Sequence, residues 1–79
     1  MHIEVLLFAS YAEALGAPRV RLSLREGATV ADVLAALRSR SAAGSLPPAL
    51  VAINSEYAAS GQVIRESDEV AVIPPVAGG

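Results

Sequence analysis

One long amphipathic helix is predicted in this sequence, and it limits the chain to a two-layer fold. Its apolar stripe follows the i, i+3, i+4, i+7 spacing of a buried helix face and consists of Val30, Val33, Leu34 and Leu37. Thr29 and Asp32 have the spacing of a capping box, so the helix should begin there. Because one helix covers one face of one sheet, the pattern predicts an α+β domain.

Four other segments have the alternation and composition of β-strands: His2–Phe8, Arg19–Arg25, Leu50–Ile53 and Val70–Ile73. The element order predicts that the first two strands form a hairpin-like pair and that the long helix then crosses the sheet. The last strand must return to the middle of that sheet. Because side chains alternate along a strand, Ile3, Val5 and Leu7 should face the core.

The connections are expected to be short turns and loops. Ser10 and Glu13 have capping-box spacing, which predicts a second, short helix that Gly16 and Pro18 bring to an end. Small residues, glycine and proline predict a loop over Ser41–Pro48.

Further along the chain, a turn is expected over residues 54–56, in which Asn54 either adopts a left-handed conformation or hydrogen-bonds its own backbone. The pattern of Tyr57–Gly61 is ambiguous, and Gln62–Ile64 fits either a short strand or a single turn. A second turn is expected over Glu66–Glu69.

The face of the sheet away from the long helix has no predicted cover. Four apolar residues are expected to be exposed there, namely Leu6, Phe8, Tyr57 and Ile73. An exposed apolar patch of this kind marks a partner-binding surface more often than chance. The four residues are therefore predicted to form a protein interface, with the alternative that Phe8 packs at the end of the short helix.

The composition restricts the class of protein further. A chain of 79 residues is one domain, and the absence of cysteine excludes disulfides and a thiolate metal site. Apolar runs fall far short of the roughly 18 residues that span a membrane. The N-terminal residues lack the basic region of a signal peptide. We therefore expect a soluble, cytoplasmic protein that binds no membrane and no metal.

The charge pattern argues against nucleic-acid binding. The net charge is −2, the six basic residues are scattered, and one Phe and two Tyr offer little for base stacking. All six basic residues are arginine, so the chain has no lysine side chain to accept an isopeptide bond. In any covalent conjugate the protein must then be the donor, through its C-terminus.

The sequence ends in Gly78-Gly79, which follows an apolar strand and two prolines. Proline donates no hydrogen bond to a sheet, so pairing should stop near Pro74. Two residues without side chains allow a terminal carboxylate to enter a narrow slot. The pattern favours a tail that presents its own carboxylate as the working group over the alternative of a frayed terminus.

The last ten residues, which read VAVIPPVAGG, resemble the C-terminus of the molybdopterin synthase small subunit, the sulfur-carrying subunit also called the molybdopterin converting factor small subunit. The start VLLFA, the following YAEALG, the LVAIN segment and SDEV before the last strand are also similar to that family. The resemblance covers the whole chain. One departure is Ser67, where the family usually has glycine.

The resemblance implies a β-grasp, ubiquitin-like fold with a mixed sheet, one main helix on one face and a flexible tail. Residues 1–74 would form the domain and residues 75–79 the tail. The reacting group would be the carboxylate of Gly79, and the residues threaded into a partner would be Pro74, Pro75, Val76, Ala77 and Gly78. Fully extended, five residues reach at most about 17 Å.

The implied partners are a large molybdopterin synthase subunit, a ubiquitin-activating-like adenylating enzyme and a sulfur donor. The activating enzyme would use ATP and Mg²⁺ to adenylate Gly79, which then becomes a thiocarboxylate and gives its sulfur to a pterin precursor. The chain would bind no cofactor and would not be an enzyme on its own, because it has no cysteine and its single histidine, His2, is an unpromising base.

Three alternatives remain open at this point. A related carrier could serve thiamine synthesis, tRNA thiolation or cysteine synthesis; the Pro-Pro tail with Phe8 and Ile73 favours the pterin pathway. A protein modifier could be ligated to target lysines through its C-terminus. A plain interaction module would carry an inert tail.

Overall fold

Five strands and two helices make up the described part of the protein. The structure is a computed structural model that describes residues 1–41 and 46–74. The strands are β1 His2–Leu7, β2 Arg19–Ser23, β3 Leu50–Ile53, β4 Glu56–Ala58 and β5 Val70–Ile73. The helices are α1 Ala9–Leu15, between β1 and β2, and α2 Val30–Arg40, between β2 and β3.

The strands form one mixed sheet in the order β2-β1-β5-β3-β4. Neighbours pair antiparallel except for β1 and β5, which run parallel at the centre. The prediction that the last strand returns to the middle of the sheet is confirmed. A sheet of this order, in which the long helix α2 connects β2 to β3, has the β-grasp topology.

The core lies between α2 and one face of the sheet. Its fully enclosed members include Ile3 and Val5 from β1, Leu22 from β2, and Val33 and Leu37 from α2. Burying one such side chain contributes about 1.5–3 kcal/mol to the stability of the fold, and the conformational entropy that the side chain loses offsets part of it. The predicted helix stripe is confirmed at three positions, while Leu34 is only half-buried at its edge.

The start of α2 is also as predicted. Thr29 is the N-cap, and the Thr29 backbone N–H donates to Asp32 Oδ2 over 2.8 Å in a capping box. The Arg25 guanidinium lies 3.1 Å from the same oxygen. A negative charge in the first turn also complements the helix dipole.

The capping box expected at Ser10 and Glu13 is wrong. Helix α1 starts at Ala9 with Phe8 as its N-cap, and no side chain caps it. Ala9 has a φ of +49°, so the chain turns sharply out of β1, which ends at Leu7 and not at Phe8. Ser10 therefore already lies inside the first turn, where its hydroxyl is past the capping position. The predicted stop is correct, since Gly16 adopts a left-handed φ of 72°.

Several other elements are shorter than predicted, or have boundaries that the sequence left undefined. Strand β2 ends at Ser23 and not at Arg25, although the Leu24 N–H still bonds the Met1 carbonyl. Of the ambiguous Tyr57–Gly61 segment, the first two residues belong to β4. Val63 makes one isolated bridge to Thr29. Strand β5 ends at Ile73, where a proline was expected to stop pairing.

Two predicted features fall wholly or partly outside the described residues. Residues 42–45, within the expected loop, lie outside the described range. Residues 46–49 have no regular secondary structure. The tail from Pro75 to Gly79 also lies outside the described range, so the division at residue 74 stays a prediction.

Acid should destabilise the fold partly through Asp32. The Thr29 backbone N–H holds the pKa of the Asp32 carboxyl below its ordinary 3.8, against some desolvation, and the Thr29 hydroxyl and Arg25 add to the effect. A lowered native pKa stabilises the fold above the ordinary value, and the contribution disappears as pH falls through the lower native value. Asp32→Asn should therefore be less stable than the native chain at about pH 7 and differ less from it at about pH 3.

Thermal unfolding across that pH range measures the effect. Glu13→Gln is the control, because Glu13 is an exposed carboxylate on α1 with no ion pair among the described residues. An unchanged gap between Asp32→Asn and the native chain at both pH values would contradict the assignment.

Candidate docking groove and tail base

The face of the sheet opposite α2 carries an apolar area at one end. Strand register aligns Leu6 with Ala71, Ala71 with Ala52, and Ala52 with Tyr57, so these four residues form one row across four strands. Directly paired residues project on the same side of a sheet. The row therefore runs from β1 to β4 on the side away from the core.

All four residues proposed as an interface border one groove. Leu6, Phe8, Tyr57 and Ile73 line a cavity of about 290 Å³ on this face. Phe8 is 46% exposed and Tyr57 is 72% exposed, so both rings are accessible. The exposure of Phe8 argues against the alternative in which it packs at the end of the short helix.

The groove owes its depth to the sizes of the side chains along the row. Ala52 and Ala71 come from the two inner strands β3 and β5, while the larger Leu6 and Tyr57 stand on β1 and β4. Small residues between larger ones leave a trough. The two alanines were missed at the sequence level, because their size matters only once the register of the strands is known.

Other residues of this face were also missed. Leu50 pairs directly with Ile73 and is 49% exposed, which extends the apolar area beyond the groove. Ser55 and Glu69 line the groove and supply polar groups. Alternation along β5 could have indicated Glu69, since it precedes the core residue Val70 and shares the side of Ala71 and Ile73.

The base of the tail lies at the same edge of the sheet as Phe8. Because β1 and β5 are parallel and Leu7 pairs with Val72, both strands end at this edge. Phe8 follows β1, and the buried Pro74 follows β5. Whatever covers the groove therefore sits beside the point where the chain continues toward Gly79. The tail residues from Pro75 onward lie outside the described range.

An asparagine clamp fixes the start of β5. Asn54 has a φ of 52°, and its amide Nδ2 donates to Asp68 Oδ1 over 2.9 Å. Asn54 Oδ1 accepts from the Glu69 N–H over 2.9 Å, and the Asn54 N–H donates to the Glu69 carbonyl over 2.8 Å. The Arg65 N–H and Asn54 hold the pKa of the Asp68 carboxyl below its usual range. The predicted left-handed turn at Asn54 thus also positions Glu69.

A second, larger cavity of about 430 Å³ lies beside β4, and Tyr57 borders both. Its wall includes Glu56, Gln62, Arg65 and Asp68, which water solvates well. We regard the smaller groove as the candidate site because large exposed apolar side chains, which water does not solvate well, line it.

The described residues contain no cluster of three or more His, Asp or Glu that could hold a metal ion. No helix in the described ranges has the length and hydropathy needed to cross a bilayer. Tyr11 is the buried residue of α1. Its hydroxyl donates to the Pro47 carbonyl, and burial raises the pKa of the phenol. This tyrosine ties α1 to the 46–49 segment and has no place in the groove.

The topology and the exposed groove beside the last strand define a ubiquitin-like β-grasp domain. More specifically, the chain belongs to the ThiS family, whose family model matches residues 5–79. The resemblance to molybdopterin synthase sulfur carriers drawn from the sequence is confirmed at the level of family.

Individual relatives agree with this assignment. The chain is 33% identical to the molybdopterin synthase sulfur carrier subunit of Arabidopsis thaliana, over 100% of this chain and 84% of that protein. It is 38% identical to small archaeal modifier protein 1 of Haloferax volcanii, over 98% of this chain and 100% of that protein. A crystal structure of SAMP1 from Haloferax volcanii superposes with a TM-score of 0.81 at 36% identity, covering 100% of both chains.

Substitutions at Asn54 should separate the backbone role of the clamp from its side-chain role. Asn54→Gly keeps the left-handed turn but loses two hydrogen bonds, at a cost of about 1–2 kcal/mol. Asn54→Ala loses the same bonds and adds about 1 kcal/mol for a side chain at positive φ. Urea unfolding measures both variants. Equal stability of the two would show that the turn conformation contributes nothing.

Proposed function

We propose that this protein is a sulfur carrier for molybdenum cofactor biosynthesis and acts as the small subunit of molybdopterin synthase. Membership of the ThiS family and full-length similarity to a molybdopterin synthase sulfur carrier subunit support the pathway. The observation that carries the mechanism is the central parallel pair, which brings the groove and the base of the tail to one edge of the sheet.

The proposed chemistry takes place on the Gly79 carboxylate. A carboxylate is a poor electrophile, so an adenylating enzyme first joins it to AMP from ATP and releases pyrophosphate. A sulfur donor then displaces AMP and leaves a thiocarboxylate. ATP and Mg²⁺ belong to the activating enzyme in this scheme, and the carrier binds no cofactor of its own.

The thiocarboxylate then serves as a soft nucleophile inside the large synthase subunit. It transfers sulfur to the pterin precursor and returns as a carboxylate, and two such transfers build the dithiolene that holds molybdenum. The groove gives the large subunit an apolar surface to hold while the tail enters its active site. Acid-base groups come from the large subunit, so the carrier is a cosubstrate of a cytoplasmic complex and not an enzyme alone.

Intact-mass measurement tests the central step. The purified chain is incubated with the activating enzyme and sulfur donor of its own organism, ATP and Mg²⁺. One oxygen should be replaced by one sulfur, and the large subunit with pterin precursor should reverse the change. A chain lacking Gly79 is the negative control. Failure of the native chain to gain sulfur would contradict the proposal.

Phe8→Asp should weaken binding to the large subunit far more than it weakens folding. A carboxylate enclosed in an apolar contact without a partner costs several kcal/mol, so we expect affinity to fall at least about thirtyfold. Calorimetric titration with the large subunit measures affinity, and thermal unfolding measures stability.

Val63→Asp is the matched control for this variant. Val63 is 48% exposed and lies outside the groove. The substitution therefore introduces the same charge at a similar exposure without touching the proposed interface. Equal affinities of the two variants would remove the groove from the interface. Outright unfolding of Phe8→Asp would instead place Phe8 in the core.

Gly78→Val should block activation and sulfur transfer, whereas Ala77→Ser should be tolerated. Gly78 adjoins the reacting carbonyl, where both enzymes must enclose the chain, and a β-branched side chain adds bulk and restricts the backbone. Serine at position 77 adds a single oxygen that can remain hydrated. Mass spectrometry of the thiocarboxylate measures both variants, and charging of Gly78→Val at the native rate would disprove a steric role for the diglycine.

A second candidate function is covalent protein modification. The 38% identity to small archaeal modifier protein 1 favours it, and the absence of lysine suits a pure donor. Trypsin cuts after Arg65, so a modified target lysine would carry residues 66–79 as its remnant. Peptides with that branch, found in cells that express the chain and absent when Gly79 is deleted, would establish this function.

A further inference from the structure

The candidate groove contains one carboxylate and no cationic side chain. Glu69 lines it together with apolar and small residues, and no arginine takes part in its wall. Within the described residues Glu69 makes no ion pair. Three other charged side chains share this face: Glu4 pairs with Arg19 across 3.0 Å, and Arg21 is in register with Glu4 on the strands β1 and β2. Among the described residues, Glu69 is thus the charged side chain that lines the groove itself, and it has no ion-pair partner there.

The backbone of Glu69 is held in place beside the groove. The Glu69 N–H and carbonyl both bond to Asn54, so the point from which its side chain projects is restrained. Glu69, Ala71 and Ile73 project to the same side of β5 by alternation. Four residues of strand separate Glu69 from Ile73 by about 13 Å, so the charge and the base of the tail mark opposite ends of the groove.

We propose that the protein which covers this groove presents an arginine or lysine to Glu69, and that this ion pair sets the direction in which the carrier docks. The inference rests on the proposed function, with the large synthase subunit as the occupant. An apolar groove alone is compatible with more than one orientation of a partner. A single charge at the end far from the tail distinguishes them, because only one orientation places the cation on Glu69 and the tail in the active site.

The energetics favour this arrangement. A partner that covered the groove without a cation would desolvate the Glu69 carboxylate with no compensation. Charges at the rim of an interface act mainly on the association rate and its salt dependence. The signature of this contact should therefore be kinetic.

The experiment compares Glu69→Gln with Glu66→Gln. Both remove one negative charge from an exposed residue of the same turn region, but Glu66 lies outside the groove. Association with the large molybdopterin synthase subunit of the same organism is followed by stopped flow at low and high salt. Glu69→Gln should slow association about three- to tenfold at low salt and flatten the salt dependence, while Glu66→Gln changes the rate less than about twofold.

The outcomes separate this inference from the proposed function. If the native chain binds the large subunit, Phe8→Asp weakens it, and the two glutamine variants behave alike, the cationic contact is refuted and the carrier function stands. If the native chain does not bind the large subunit at all, both the ionic contact at Glu69 and the proposed carrier function are contradicted. A loss of thermal stability in Glu69→Gln matching its loss of rate would mean that Glu69 acts on the fold and would also refute the contact.

Discussion

The parallel pairing of β1 with β5 is the constraint on which the rest of the structure depends. It places the last strand between two others, where Val70 and Val72 are enclosed by the core. It also sends the carboxyl ends of both strands to the same edge. Phe8 and the end of β5 are neighbours for that reason, although Phe8 and Ile73 are 65 positions apart in the sequence. A chain that docks by one surface and reacts at its terminus needs that proximity.

The alternation of β5 gives the strand two separate tasks. One side contributes Val70 and Val72 to the core against α2, and the other contributes Ala71 and Ile73 to the groove. The core side needs larger apolar side chains such as Val70 and Val72, whereas the groove side needs a small residue, Ala71, between the larger residues of β1 and β4. The core and the groove are therefore formed by alternating residues of the same four-residue strand, and under the proposed function the groove side serves recognition. Substitutions on one side should be largely independent of those on the other.

Much of this architecture follows from short-range patterns in the sequence. The stripe of α2, the Thr29 cap and the turn at Asn54 are each determined by residues within one or two turns of one another, so they were predictable. Leu6 and Phe8 were assigned to the uncovered face by alternation along the first strand, whereas Tyr57 lay in a segment of ambiguous pattern. Membership of the family was accessible through the tail and the VLLFA start.

What the sequence did not reveal depends on distant residues. The start of α1 is set by the left-handed backbone of Ala9, a conformation that alanine disfavours and that local propensity therefore does not predict. The alanines that deepen the groove, and Leu50 beside Ile73, become meaningful only through strand register. Glu69 looked like an ordinary turn residue, because its clamp to Asn54 joins positions 15 residues apart.

The central place of β5 also has a mechanical consequence. A partner that draws the tail into a narrow slot pulls along the axis of this strand. Because β5 has ladders to β1 and β3 on its two sides, such a pull loads both sets of hydrogen bonds together in shear. A strand at the edge of the sheet could be peeled away one bond at a time. Under the proposed function, the domain would thus hold its tail as a tether that withstands repeated insertion and withdrawal without unfolding of the sheet.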